Sequence, residues 1–150
     1  MFRVLPAALG AAIVLTACGG ASQLTGPSPL TGAPGGSVIF LTHSADQNAS
    51  MSALFEGQIR LDAAGCLRLV SADAGTVIWP KGFTPAGSGG DVVVRDASGR
   101  DIGRVGGSFR LGGGFVDSLH AGIPVSSADR QRAAASCPGT YWIVGDVLQP

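Results

Sequence analysis

Short alternating runs of polar and apolar residues dominate the chain beyond its first third. Gln58-Ile59-Arg60-Leu61 alternates with the period of a strand that buries one face. Asp62-Ala63-Ala64-Gly65 is a turn, and Cys66-Leu67-Arg68-Leu69-Val70 returns with the same alternation, so 58–70 reads as a hairpin. Thr76-Val77-Ile78-Trp79 is a third strand stopped by Pro80, and a Gly/Ser/Thr/Pro loop follows from Lys81 to Gly90. Asp91 to Arg95 turns through Asp96-Ala97-Ser98-Gly99 into Arg100 to Val105, a second hairpin marked by its turn chemistry. Gly106-Gly107 breaks or bulges the chain before Ser108-Phe109-Arg110-Leu111, and Gly112-Gly113-Gly114 is expected to end that strand. Ser127 is placed to cap a short helix over Ala128 to Ala135, which Cys137-Pro138-Gly139 stops. Tyr141-Trp142-Ile143-Val144 reads as a last apolar strand, with Gly145-Asp146-Val147 trailing. Upstream, Val38-Ile39-Phe40-Leu41 reads as one further short strand or as a segment packed on the outside of the domain.

Short strands joined by short turns, with a single helix, predict an all-β domain over residues 53–150. The expected architecture is a small closed or partly closed β-barrel of the oligonucleotide/oligosaccharide-binding-like kind; a β-sandwich is the second architecture this pattern allows. The chain carries 24 glycines and 9 prolines, which disfavours long helices and suits tight turns and a tether. Lys+Arg and Asp+Glu stand at 10 each, so the formal net charge is zero and no basic stripe marks a nucleic-acid partner. Charged residues make up 13% of the chain, against roughly a quarter in an average soluble domain. Lys81 is the sole lysine and Glu56 the sole glutamate, which reads as a base-composition bias before it reads as chemistry.

The first residues supply an address. Met1-Phe2-Arg3 is a short positive start, and the apolar run Val4 to Leu15 is too short to span a bilayer as a mature helix. It ends in Leu15-Thr16-Ala17-Cys18, which resembles the lipobox of bacterial lipoproteins: a Leu, two small residues that fit the signal peptidase, and a thiol as acyl acceptor. That resemblance implies a signal peptide over 1–17, acylation (palmitate among the chains) at Cys18 and a membrane partner reached through this anchor. Two or three acyl chains anchor stably where one does not. Gly19, rather than an Asp, follows the acylated residue, which by the lipoprotein sorting rule implies the outer membrane in a cell that has one. Residues 19–36 are uncharged and built largely from Gly, Ser, Thr, Pro and Ala, so 18–52 is expected to be a flexible tether holding only the short strand at 38–41. The uncharged stretch alone reaches roughly 24 Å at flexible-coil scaling.

With Cys18 assigned to lipid, Cys66 and Cys137 remain as an even pair in an oxidising compartment and are expected to form a disulfide. Two free thiols or a metal pair are the rivals. Cys66 has no CxxC partner, and neither His43 nor His120 lies at ligand spacing, so no metal and no cofactor is expected. Gly112-Gly113-Gly114 lacks the Lys-Ser/Thr of a phosphate loop. Asp117, Ser118 and His120 are loop neighbours without the elbow or oxyanion glycine of a hydrolase triad. Arg60, Arg68, Arg95, Arg104 and Arg110 fall mostly on the polar phase of their strands, as on a solvated barrel face. Trp79, Tyr141 and Trp142 near strand ends are a candidate stacking surface for a sugar or aromatic ligand, with core packing as the competing role.

The runs Gly65-Cys66-Leu67-Arg68-Leu69, Ile78-Trp79-Pro80-Lys81-Gly82-Phe83, Leu111-Gly112-Gly113-Gly114 and Cys137-Pro138-Gly139-Thr140-Tyr141-Trp142, in that order, are similar to a family of small secreted or lipid-anchored bacterial β-barrel proteins. The resemblance covers roughly 57–147, supports pairing Cys66 with Cys137, and carries no activity to transfer. The expected function is a non-enzymatic barrel domain, anchored on the extracytoplasmic side of a membrane of the cell envelope, that binds an envelope glycan or protein partner or plays a structural role. The alternative is an envelope-polymer hydrolase using Asp carboxylates such as Asp91 and Asp117, which must face one cleft at roughly 5–10 Å. A single-strand nucleic-acid binder is disfavoured by neutral charge and compartment.

Overall fold

The computed structural model describes residues 37–46 and 51–148. The signal peptide expected at 1–17, Cys18, and the stretches 19–36 and 47–50 of the expected tether lie outside these residues. Among the described residues, nine strands, one 3₁₀ turn and one helix follow in order: β1 (Leu41–Thr42), β2 (Ala53–Leu61), β3 (Leu67–Leu69), β4 (Thr76–Trp79), β5 (Thr84–Ala86), the turn Gly89–Asp91, β6 (Val93–Arg95), β7 (Asp101–Arg104), β8 (Ser108–Val116), α1 (Ser127–Ser136) and β9 (Tyr141–Val147). Strands β3, β2, β8 and β9 pair antiparallel in that order, and a parallel β4–β9 pairing closes them with β4 into a five-stranded barrel. This is the small all-β barrel that the alternation implied.

Parity explains what each strand buries. On β2, Phe55 and Ile59 turn inward while Leu54, Glu56 and Arg60 turn out, and on β8 Phe109 and Leu111 do the same against them. Strands β4 and β9 break this pattern, because their first four residues are buried without a gap. Val77, Trp79, Trp142 and Val144 belong to the inner core. Ile78, Tyr141 and Ile143 belong to a second cluster, in which they pack with Leu119, Ile123, Val125 and Ala133 of α1 and the loop before it. A wall buried on both faces reads as a continuous apolar run, as strands covered on both sides do.

Three particulars differ from the sequence reading. The loop at 81–90 contains β5, which forms a three-stranded sheet with β6 and β7. Its Thr84-Pro85-Ala86 hid it, since proline is confined to edge strands, and β5 is an edge. This small sheet sends Val92, Val94 and Val105 into the inner core, and the Gly106 amide donates to the Ile59 carbonyl at 2.7 Å. The glycine run 112–114 does not end β8, which continues to Val116. The helix is capped by Ser126, not Ser127, and runs Ser127–Ser136.

The short strand expected at 38–41 is present as a strap. Leu41 and Thr42 pair parallel with Ile78 and Trp79, and Ile39 bridges Cys66. The antiparallel pairing of β3 with β4 consists of Arg68 opposite Thr76. Where the two strands diverge, the strap fills the opening, with Val38 and Phe40 toward the inner core and Ile39 and Leu41 toward the outer one. Cys66 and Cys137 are joined, with Cα atoms 5.8 Å apart. The bridge ties the start of β3 to the end of α1.

Candidate functional site

The three rings proposed as a stacking surface are core residues. Trp79, Tyr141 and Trp142 are 0%, 5% and 2% exposed, so none offers a face to a ligand. Adjacent positions on one strand point to opposite faces, which places Trp142 inside the barrel and Tyr141 in the outer cluster. Burial raises the Tyr141 hydroxyl above its ordinary pKa, opposed by the nearby Arg68 charge. Trp79 is the centre of an aromatic stack: the Phe40 ring lies 5.7 Å away and the Phe83 ring 6.1 Å away, both nearly parallel to the indole.

Phe83 leads from this stack to an open groove. The groove, of about 430 Å³, runs between the β4–β5 connection, the β6–β7 turn and the tail of β9. Pro80, Phe83, Ile102 and Val147 supply apolar surface, and Asp96, Ser98, Arg100 and Asp146 supply polar groups. Gly82 adopts φ 84°, a left-handed conformation that lets the chain turn after Lys81 and bring Phe83 back to Trp79. Gly145 sits where the β8–β9 register shifts, a bulge that re-aims Asp146 and Val147.

Asp96 organises the turn beside the groove. One carboxylate oxygen accepts from the Ser98 hydroxyl at 2.6 Å and from the Ser98 and Arg100 amides at 2.9 and 3.0 Å; the other accepts from Arg100 Nε at 3.1 Å. The Ser98 hydroxyl is the main reason its pKa falls to about 2, with the amide bonds and Arg100 adding to it against partial desolvation. The acid is therefore ionised at any physiological pH and committed to the turn. Asp146, by contrast, has no ion-pair partner among the described residues.

Asp91 and Asp117 do not share a cleft. Asp91 pairs with Arg104 at 3.3 Å, beside the turn that enters β8, whereas Asp117 follows the last residue of β8. The extended strand between those ends spans roughly 26 Å at about 3.3 Å per residue. His120 is exposed, its ring accepting from the Gly122 amide at 3.1 Å. Among the described residues no group of three or more His, Cys, Asp or Glu gathers as for a metal ion. The arginines on the barrel surface are largely offset, Arg68 by Asp62, Arg95 by Asp101 and Arg110 by Glu56 at 2.6–2.8 Å.

No protein-family model, curated protein or solved structure matches this chain. The groove therefore stands on its own chemistry: a half-buried aromatic, a small apolar floor, an ion pair fixed in a turn and one uncommitted carboxylate. Phe83 and the β9 tail were missed as site residues by sequence reasoning, which weighed tryptophan and tyrosine and treated 145–147 as trailing chain.

Proposed function

We propose that this chain is a lipid-anchored protein of the bacterial cell envelope, acylated at Cys18 and facing away from the cytoplasm, whose barrel is a non-enzymatic binding module for an envelope saccharide. The observation that carries the binding reading is the groove at Phe83. Its apolar floor beside Asp146, Ser98 and Arg100 suits a ligand with one apolar face and several hydroxyls, as a sugar ring has. The Leu15-Thr16-Ala17-Cys18 motif supports the anchor, and the Cys66–Cys137 bridge supports an oxidising compartment.

Two measurements test the two halves separately. Cys18→Ala should abolish metabolic palmitate labelling and partitioning into the detergent phase; labelling that persists overturns the anchor. Detergent-solubilised full chain should retain a subset of a panel of envelope glycan fragments, and Phe83→Ala should weaken that retention about tenfold or more while Phe115→Ala, away from the groove, leaves it unchanged. Equal loss in both variants, or no retained glycan, overturns the saccharide site.

A further inference from the structure

The strap carries a histidine that the groove does not use. His43 is 3% exposed, and its Nε2 has no hydrogen-bond partner among the described residues. The backbone around it is pinned from two sides. The His43 amide donates to the Trp79 carbonyl at 2.9 Å, the Ser44 amide donates to the Pro124 carbonyl at 2.6 Å, and His43 bridges Val125. The ring is thus enclosed where the strap passes between β4 and the loop before α1.

The surroundings are built for a neutral ring. The loop facing it, Ile123-Pro124-Val125, carries no titratable side chain, and neither does β4 at Ile78 and Trp79. From α1, Arg130 reaches the same loop, its guanidinium donating to the carbonyls of Ile123 and Val125 at 3.1 and 2.8 Å. Asp129, its neighbour on α1, is engaged by Ser126 and Arg132. On the strap itself, Asp46 is exposed. No carboxylate is paired with His43 among the described residues. A proton taken up from solvent would create a buried imidazolium without a counter-ion, near a fixed arginine.

We propose that His43 is an acid-sensitive clasp: neutral, it seats the strap 38–44 in the barrel wall, and protonated, it releases the strap and uncovers the Trp79 face that Phe40 covers. Burial is the cause that lowers the His43 pKa from its ordinary value of 6.5. In the released strap the ring regains its ordinary value near 6.5. The docked state is therefore fully favoured above about pH 6.5 and loses about tenfold in population ratio per pH unit below it, until the docked-state pKa is reached. A side chain outside the cytoplasm meets the pH of the medium, where histidine is the residue that switches. The clasp is independent of what the groove binds.

Hydrogen exchange of the solubilised full chain, corrected for intrinsic exchange rates, tests it between pH 7.5 and 5. Protection of the Ile39, His43 and Ser44 amides, which donate to the Gly65, Trp79 and Pro124 carbonyls, should stay level from pH 7.5 to about 6.5. Below that it should fall about tenfold per pH unit until the docked-state pKa is reached, while that of Ser108–Val116 stays level throughout. His43→Leu should hold the strap protected across the range. Strap protection independent of pH, or an equal fall in His43→Leu, overturns the clasp. Should His43→Leu fail to fold, ring titration by NMR in His120→Gln, which leaves His43 as the one histidine, keeps the question open to a decision: strap release must co-titrate with the His43 ring, and a ring that titrates without strap release refutes the proposal.

Discussion

Gly113 has no room for a methyl group. A Cβ there would lie 2.1 Å from the Ile143 carbonyl oxygen and 2.8 Å from Trp142 Nε1, and the first of these is backbone that cannot step aside. Its neighbour Gly112 is open by comparison, the nearest atom being the Asp146 Cβ at 3.5 Å. Gly113→Ala should cost about 3 kcal/mol, at the upper end for overpacking, and Gly112→Ala should stay within about 0.5 kcal/mol, both read from denaturant unfolding. Equal effects would mean that β9 shifts freely on β8. A second prediction at this scale concerns Asp96. Its folded-state pKa of about 2 lies below its ordinary 3.8, so the turn it holds is fully supported above about pH 4 and loses that support as pH falls through 2. The Ser98 amide resonance should report this step. The direction is that of His43, loss on acidification, but the window lies several pH units lower, so the two groups separate cleanly in one titration.

The helix is an element defined more by its cap than by its face. Ala133 is its one buried residue, and Ser126 accepts from the Asp129 amide at 3.0 Å while donating to the Asp129 carboxylate at 2.9 Å. Ser126→Ala should cost about 1 kcal/mol, whereas Ser127→Ala, one residue inside, should change stability by less than about 0.5 kcal/mol; thermal melts of the two variants decide between the caps. Tandem serines made that assignment ambiguous in the sequence, because either can precede an apolar-poor Ala/Arg run. Alternation, on the other hand, was legible wherever a strand buries one face, as at 58–61 and 67–69. It became silent at β4 and β9, where both faces are covered, and misleading at β5 and β8, where an edge proline and a close-packed glycine look like breaks. The failure of the aromatic surface has the same root: Tyr141 and Trp142 are neighbours in sequence and therefore opposite in space. What the groove needed, Phe83 beside the tail of β9, joins residues far apart in the chain that only strand closure brings together.

Closure is the property of the whole molecule on which both the groove and the strap depend, and its weakest seam is the wall formed by β3, β4 and β9. The β4–β9 register covers Thr76, Val77 and Ile78, and Arg68 opposite Thr76 joins β3 to β4. The Cys66–Cys137 bridge lies at that seam, with a sequence separation of 71, and Arg68 adds a bond to the Pro138 carbonyl at 3.2 Å. Loop-closure entropy assigns such a bridge about 4.4 kcal/mol, a large share of the 5–15 kcal/mol by which whole domains are stable. The stabilisation acts mainly on the unfolded chain, so the native barrel should be little changed without it. Replacing both cysteines by alanine should therefore lower Tm by roughly 20 °C or more. The strap's exchange pattern at low temperature should stay intact. The double variant is the informative one, since single replacements leave a buried thiol whose own environment has changed. A fall equivalent to less than about 1 kcal/mol would show that strand pairing alone holds the seam. Loss of strap protection in the folded double variant would show instead that the bridge shapes the wall into which the strap fits, because Cys66 is also the residue that Ile39 bridges.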